Sequence, residues 1–222
     1  QPVFHGVEYD VQHFPFFDFF APTLPAPTGP AMVVTIHDTI PLVYPEQYKP
    51  GIRGAAALRQ QKRRLQSVAA VVTDSECSKQ DIITHLQVSE EKVHVVPLAA
   101  APEIQPLTEY KADKLRQDLS LPSKYVVYVG DINYNKNIPT LLLALTQLDA
   151  DIHLVVISQT FGNTQIEEGK EIARILTEND LGSRVHHLKL PKSSHEEFLA
   201  VIQNAKALVQ PSLYEGFGLP VL

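Results

Sequence analysis

Short apolar runs rich in β-branched residues recur along this chain, each ending in polar residues or glycine, with stretches of helical character between most of them. They read "AMVVTIHD", with a strand over residues 32–37, then "AAVVTDS" and "KVHVVP", and later "YVVYVG" (125–130), "IHLVVIS", "RVHHL" and "ALVQPS". Continuous apolar runs mark strands buried on both faces, and strand–helix–strand alternation closes as a parallel sheet because the crossovers are right-handed. The predicted class is therefore α/β.

The intervening segments agree. Residues 52–68 carry Leu58, Leu65 and Val68 on one side and Arg59, Lys62, Arg63 and Arg64 largely elsewhere, the pattern of an amphipathic helix. Asp74 or Ser75 can cap a helix over "CSKQDIITHL". Residues 99–123 break the rhythm with Pro102, Pro106, Pro122 and a short charged helix, as an interdomain connection does. Further helices are expected from about Pro139, near 165–178 and from Ser194. Two Rossmann-like domains follow, 1–105 and 124–222, with a linker at 106–123. The Phe- and Pro-rich first thirty residues read as a loop with apolar anchors, because proline lacks the N–H that a ladder needs. No tandem repeat is present; the halves share architecture only.

Composition narrows the partners. With 44% apolar and 20% charged residues, the 222-residue chain can bury a real core. A net charge of −6 argues against nucleic acid, which favours a basic face. The single cysteine, Cys77, forms no internal disulfide and fits a reducing, cytoplasmic compartment. No apolar run approaches the ~18 residues of a membrane span, and "QPVFHGVEYD" lacks a signal-peptide pattern. It also lacks an initial Met, as a fragment or a trimmed chain would.

In doubly wound sheets, ligands sit beyond the carboxyl ends of the strands, and three strands deliver chemistry there. "TIHD" presents His37 and Asp38; a neutral imidazole there can bond sugar hydroxyls or move a proton, or simply cap a strand end. "VGDINYNKNIP" places Gly130, a polar turn and Lys136 beside a helix start, an arrangement suited to a phosphate or diphosphate, or a solvated turn. Its glycine spacing fits neither the P-loop nor the dinucleotide fingerprint. "PSLYEGFGLPVL" sets Glu215 before Gly216, Phe217 and Gly218, with Pro220 in the first turn of a new helix: a cradle for a polyol phosphate, or an ordinary turn.

Weaker signals are read plainly. The nine histidines, His186, His187 and His195 among them, show no metal-ligand spacing, so no metal site is expected. Arg59, Lys62, Arg63 and Arg64 form either a solvated helix face or a contact for acidic headgroups. Cys77 has a helix-start position but no partner base, and reads as structural.

Taken together, "MVVTIHDTIPLVYPEQY", "AAVVTDSECSKQDI", "YVVYVGDINYNKNIPTLLLAL" and "ALVQPSLYEGFGLPVL" resemble, in order and spacing, segments of the retaining glycosyltransferases of family 4, also called group 1. That resemblance implies a GT-B fold, two Rossmann-like domains facing across a cleft, both incomplete here: an N-terminal acceptor-side domain and a C-terminal donor domain. It also implies truncation at both ends, because the family's turn carries a second Glu after seven residues, and Glu215 is followed by seven residues ending at Leu222. The family's first strand and its Gly-rich loop should likewise precede what is visible.

By the same resemblance the catalytic residues are His37, Glu215 and Lys136, with His37 near the transferred sugar and Lys136 on the donor diphosphate. Donor contacts fall on Gly130, Asn133, Lys136, Leu190, Glu215, Gly216, Phe217, Gly218 and Leu219, with base contacts near Lys189 and Leu190. Many members place an Arg where this chain has Asp131, which leaves Lys136 and the helix dipole to neutralise the leaving group. The implied reaction moves a sugar from a nucleotide-diphosphate sugar to an acceptor hydroxyl with retention, without cofactor or metal. The acceptor is a saccharide or lipid-linked saccharide, nucleic acid is no partner, and the setting is cytoplasmic with peripheral contact at the inner membrane face. Two alternatives stay open: a nucleotide-sugar epimerase of the same fold, and a non-catalytic sugar-nucleotide binding subunit.

Overall fold

A computed structural model describes residues 9–222 apart from 28, 103 and 192. The chain divides into two units, one running up to Leu98 and taking in Glu215–Phe217, the other comprising Ala99–Tyr214 and Gly218–Leu222.

In the first unit, strands β1 (Val11–Phe14), β2 (Ala31–Thr35), β3 (Ala70–Thr73) and β4 (Val93–Val95) form one parallel sheet in the order β1-β2-β3-β4. Strand β1 lies inside the stretch expected to be loop, and residues 1–8 of that stretch lie outside the described residues. The proline argument fails there because Pro15 follows β1 rather than interrupting it, so Val11–Phe14 pairs freely with Ala31–Val34 at the sheet edge. Beyond Pro15 the loop does carry apolar anchors: Phe17, Phe19 and Leu24 are buried. Its backbone is fixed by Gln61, wholly buried on helix α2 (Gly51–Leu65), after a short helix α1 (Ile40–Val43). The Gln61 amide donates to the carbonyls of Asp18 and Ala21 at 3.1 and 2.9 Å and accepts from Leu24 N–H at 3.3 Å. Leu65, Val34, Val71, Ile82 and Leu86 fill the core, each fully buried side chain stabilising by about 1.5–3 kcal/mol.

Ser75, rather than Asp74, caps helix α3 (Glu76–Asp81), accepting from Ser78 N–H at 3.1 Å. The chain continues into a wider turn over Ile82–Leu86, and left-handed Gln87 ends it.

The second unit opens with residues 99–123. They contain helix α4 (Glu109–Asp118), which packs on α7 (His195–Asn204), and Leu107 exchanges two hydrogen bonds with the Gln203 side chain. There follow β5 (Tyr125–Val129), α5 (Ile138–Leu145), β6 (His153–Ile157), α6 (Glu167–Glu178), β7 (Val185–Leu188), α7 and β8 (Ala207–Leu208). The strands are parallel in the order β7-β6-β5-β8. Tyr128, Leu154 and Val156 bury one sheet face with Leu142 of α5 and Ile172 and Ile175 of α6; Tyr125, Val127 and Val155 bury the other with Val201 of α7. Helices therefore cover both faces. The run "ALVQPS" contributes only two strand residues, since Val209 N–H makes the last ladder-side bond, to Val127, and Pro211 has no donor.

The order in which strands are added across the sheet reverses at β5. Strands β6 and β7 are laid down on one side of it, and β8 returns to the other, which makes the carboxyl ends of β5 and β8 the switch point of this sheet.

Candidate functional site

The switch point of the second unit is built from two loops. The first leaves β5 through Gly130, whose φ of +147° favours glycine; a Cβ there would stand 2.7 Å from the Tyr128 hydroxyl. That hydroxyl donates to the Asp131 carbonyl at 2.6 Å, and Gly130 N–H to Ile157 at 3.0 Å, so the exit from the strand is held on both sides. The Asp131 carboxylate, standing where the resemblance expects a cation, accepts from the Thr160 hydroxyl at 3.0 Å beyond the end of β6. A 3₁₀ turn over Tyr134–Lys136 and left-handed Asn137, with Pro139 in the first turn, then start α5.

The second loop, after β8, is stitched to the first by three hydrogen bonds. Asn135 Nδ2 donates to the Tyr214 carbonyl at 3.1 Å, Leu213 N–H donates to the Asn135 carbonyl at 2.8 Å, and Asn137 Nδ2 donates to the Pro211 carbonyl at 3.1 Å. Asn135 is buried, so its amide is committed to this clasp. Half-buried Lys136 sits between the two stitched residues and immediately before α5, where backbone amides and dipole favour an anion.

Other expected donor residues of this unit lie elsewhere. Leu190 lines an apolar cavity of about 730 Å³ with Ile104, Pro191 and Phe198, and its carbonyl accepts from Gln159 Nε2 at 2.8 Å. Asn133 lines a separate cavity of about 510 Å³ between α5 and α6, beside Tyr134 and Glu171. Gly218 is left-handed at φ +90°, and Leu219 is exposed at the start of a 3₁₀ turn, Leu219–Val221, which stands where a helix was expected.

In the first unit, β2 and β3 pair with Thr35 opposite Val72, so residues two places further on, His37 and Asp74, emerge side by side. The His37 Nδ1–H donates to Asp74 Oδ2 at 2.7 Å; the carboxylate is buried while the imidazole is exposed. A buried acceptor on Nδ1 fixes the tautomer and leaves Nε2 for substrate chemistry. Asp38 Oδ1 accepts from Ile40 N–H at 3.0 Å, serving the backbone. Of the expected residues, Glu215, Gly216 and Phe217 group with His37 in this unit. The Ser75 hydroxyl donates to the Gly216 carbonyl at 2.5 Å, and the Ser78 hydroxyl lies 3.1 Å from the His37 carbonyl and 3.3 Å from that of Gly216. A Cβ at Gly216 would stand 2.8 Å from the His37 carbonyl oxygen and 2.9 Å from Asp38 Cβ, so only glycine fits.

The site contacts of Asp74, Ser75, Ser78, Asn135 and Asn137 are not legible in the sequence, which offers Asp74 or Ser75 only as a helix cap. For Asp74 a signal existed: "TIHD" and "TDS" put His37 two residues and Asp74 one residue past the ends of adjacent parallel strands, whose register, Thr35 opposite Val72, brings them level.

The remaining titratable groups have structural surroundings. Burial pushes the Cys77 thiol up, with Asp81 adding to it, so the helix-start position does not activate it. Burial, and then the neighbouring His153, hold His186 below its ordinary value; the two rings meet at 2.9 Å. His187 points the other way, to the Ser158 carbonyl at 2.9 Å. Among the described residues no group of three His, Cys, Asp or Glu side chains is placed to hold a metal ion, and no helix is long and apolar enough to cross a membrane.

Comparison with known proteins matches this geometry. Residues 111–222 match the family model described as Glycosyl transferases group 1, and residues 3–103 match that described as Glycosyltransferase Family 4. The chain is 25% identical over 209 residues to the serotype-specific mannosyltransferase WbdA of Escherichia coli, covering 92% of this chain and 25% of the relative. It is 28% identical over 164 residues to the MMP α-(1→4)-mannosyltransferase of Mycolicibacterium hassiacum, covering 73% of this chain and 36% of that protein. The chain thus spans about a quarter to a third of the length of these curated relatives. Among solved structures, Anabaena Alr3699/HepE in complex with UDP and glucose superposes with a TM-score of 0.70 at 18% identity, over 86% of this chain and 49% of that one. That likeness is one of fold, and it is the two-sheet α/β architecture expected of the GT-B class.

Proposed function

Because this chain belongs to the group 1 glycosyltransferases, we propose that the intact protein transfers a sugar from a nucleotide-diphosphate sugar to an acceptor hydroxyl with retention of anomeric configuration. The observation that carries the reading is the clasp at the switch point, which holds Lys136 between Asn135 and Asn137 at the start of α5. Charge grows on the diphosphate as the glycosidic bond breaks. A preorganised ammonium and helix-terminal amides interact more strongly with that charge than with the ground state, which is the condition for raising rate.

Residues up to 105 form the acceptor-side domain in this reading, residues 106–123 the linker, and residues 124–222 the donor domain. His37, oriented by Asp74, serves at the transferred sugar and acceptor, and Glu215 bonds sugar hydroxyls. Gly130, Asn133, Leu190 and the main chain of Gly216, Phe217, Gly218 and Leu219 contact the donor. Attack proceeds on the face the diphosphate leaves, assisted by the leaving phosphate, and requires neither a metal nor a cofactor. Asp131, satisfied by Thr160, takes no part in neutralising the leaving group, so that work rests on Lys136 and the helix terminus. The acceptor is a saccharide or a lipid-linked saccharide, met in the cytoplasm with peripheral contact at the membrane. Mannose is the first sugar to test, because both relatives named above are mannosyltransferases.

The test incubates the intact protein with a panel of nucleotide sugars, those of mannose first, with saccharide acceptors. Released nucleoside diphosphate is measured by mass spectrometry, with Lys136→Ala alongside. Release by the wild type that the substitution abolishes, with product of retained configuration by NMR, is the expected result. Saturable donor binding without release in any mixture would overturn the reading in favour of a binding subunit.

A further inference from the structure

We propose that the cavity of about 510 Å³ between α5 and α6 binds an oligosaccharide. Its floor is apolar and fixed, since Ile132 and Ile175 are both buried in the core of the second unit. Its rim is apolar too, but open: Tyr134, Leu143 and Leu213 are 37, 48 and 49% exposed. One exposed apolar side chain means little, whereas three around a single concavity of ligand size form a seat for a partner's apolar surface.

Helix α6 supplies the polar wall. Glu168, Glu171, Arg174 and Glu178 follow one another at spacings of three and four and line the cavity as one stripe. Arg174 is paired with Glu178 at 2.7 Å, and Glu167, off the stripe, takes Lys170. Among the described residues the side chains of Glu168 and Glu171 form no ion pair and accept no hydrogen bond, so two carboxylates one turn apart line the cavity with their acceptor capacity unspent.

This combination decides the occupant. A saccharide has apolar C–H faces, which suit the open rim, and hydroxyls that both donate and accept, which suit the two carboxylates and the Arg174 guanidinium. A basic peptide would use the carboxylates but would meet Arg174, which stands in the stripe between Glu171 and Glu178. A diphosphate would meet three carboxylates. Nor is the cavity the donor's seat: of the expected donor contacts only Asn133 lines it, Lys136 does not, and it shares no lining residue with the cavity at Leu190.

Position gives the occupant a role. Tyr134 opens the 3₁₀ turn that ends at Lys136, and Leu213 N–H makes one of the clasp bonds, to the Asn135 carbonyl. An oligosaccharide seated on these two side chains touches both loops of the clasp. A chain that the protein extends is thereby tethered to it, which raises the effective concentration of the growing end. The role rests on the transferase reading; the binding itself does not.

The test titrates the intact protein by calorimetry, without donor, with α-linked mannotetraose, with maltotetraose and with tetralysine. Saturable binding of at least one tetrasaccharide, unaltered by raised ionic strength, and none of tetralysine is expected. Glu168→Gln and Glu171→Gln keep the side-chain shape and turn a charged acceptor into a neutral one, so each should weaken binding about fivefold and the pair roughly 25-fold. Leu143→Ser should weaken it several-fold with charge unchanged. In turnover with the tetrasaccharide as acceptor, the double variant should raise its KM by the same factor and leave kcat and donor affinity unaltered; unchanged circular dichroism excludes misfolding. Binding of neither tetrasaccharide, a double variant that binds as wild type, tetralysine binding that salt abolishes, or a raised KM for the donor instead of the saccharide would each overturn the proposal. Tetrasaccharide binding that depends on Glu168 and Glu171 in a protein that consumes no donor would fell the transferase reading and leave this site standing, whereas turnover with a short acceptor and no tetrasaccharide binding would do the reverse.

Discussion

Replacing Gly130 by alanine tests the switch-point geometry at its tightest place. The residue sits at φ +147°, where an L side chain is strained by about 1–3 kcal/mol. The new Cβ would also stand 2.7 Å from the Tyr128 hydroxyl, inside the ordinary contact distance, and Tyr128 is fully buried, so relief requires repacking at about 1–3 kcal/mol. The hydroxyl must swing away and surrender its bond to Asp131, so Gly130→Ala should cost about 2–6 kcal/mol in all. Tyr128→Phe alone should cost about 1 kcal/mol, the usual net worth of one such bond. In the double variant the nearest ring atom is Cζ at 3.3 Å, a contact that a few tenths of an ångström relieve, while the backbone strain remains. The two costs should therefore fall short of additivity by at least about 1 kcal/mol. Urea unfolding of the four proteins at a common m value measures this. Additivity within about 0.5 kcal/mol would refute the claim that the hydroxyl is what excludes a side chain at Gly130.

Three further predictions rest on separate contacts. His37→Ala should lower turnover by about 10²–10⁴ with donor binding retained, and Asp74→Asn should lower it by less, by unsettling the imidazole tautomer; an Asp74→Asn enzyme with the wild-type pH–rate profile would count against that role. Gly169→Ala should destabilise by about 1–3 kcal/mol in thermal unfolding, although helix propensity alone favours Ala by about 1 kcal/mol, because its Cβ would lie 1.9 Å from the Asn163 carbonyl oxygen; an unchanged or raised Tm would sink it. His186 is held below its ordinary value of 6.5, so between its folded value and 6.5 the unfolded chain binds more protons and stability rises with pH. The contribution is therefore complete above 6.5 and lost as pH falls through it, and His186→Gln should unfold with a shallower pH dependence below neutrality than the wild type.

What the sequence could show was what is local. The runs that became β2, β3, β5 and β6 announce themselves by β-branched content, and His37, Lys136 and Glu215 stand out as candidates because such runs deliver them at their carboxyl ends. Pairings between loops were not visible, because they depend on strand order. Nothing local in "NYNKN" says that β8 will return beside β5, yet that return gives Asn135 and Asn137 their partners. Asp74 is an intermediate case: its residue type was noticed as a cap, and only the β2–β3 register turns it toward His37. Strand β1 was missed because prolines that follow it in sequence were read as if they lay within it.

The late return of β8 also orders events in time. Strands β5, β6 and β7 are consecutive along the chain and can pair as each crossover is completed, whereas Val126 meets Ala207 only after about 80 further residues have been made. On a ribosome adding ~5–20 residues per second, one flank of β5 stays bare for roughly 4–16 seconds, about the last 1–4 of them with β5, β6 and β7 all made. Closing so long a loop is the slowest kind of contact to form, and it is the one that completes the Lys136 clasp. A nascent chain of this protein thus acquires most of its apolar core before it acquires the arrangement that would hold an anion.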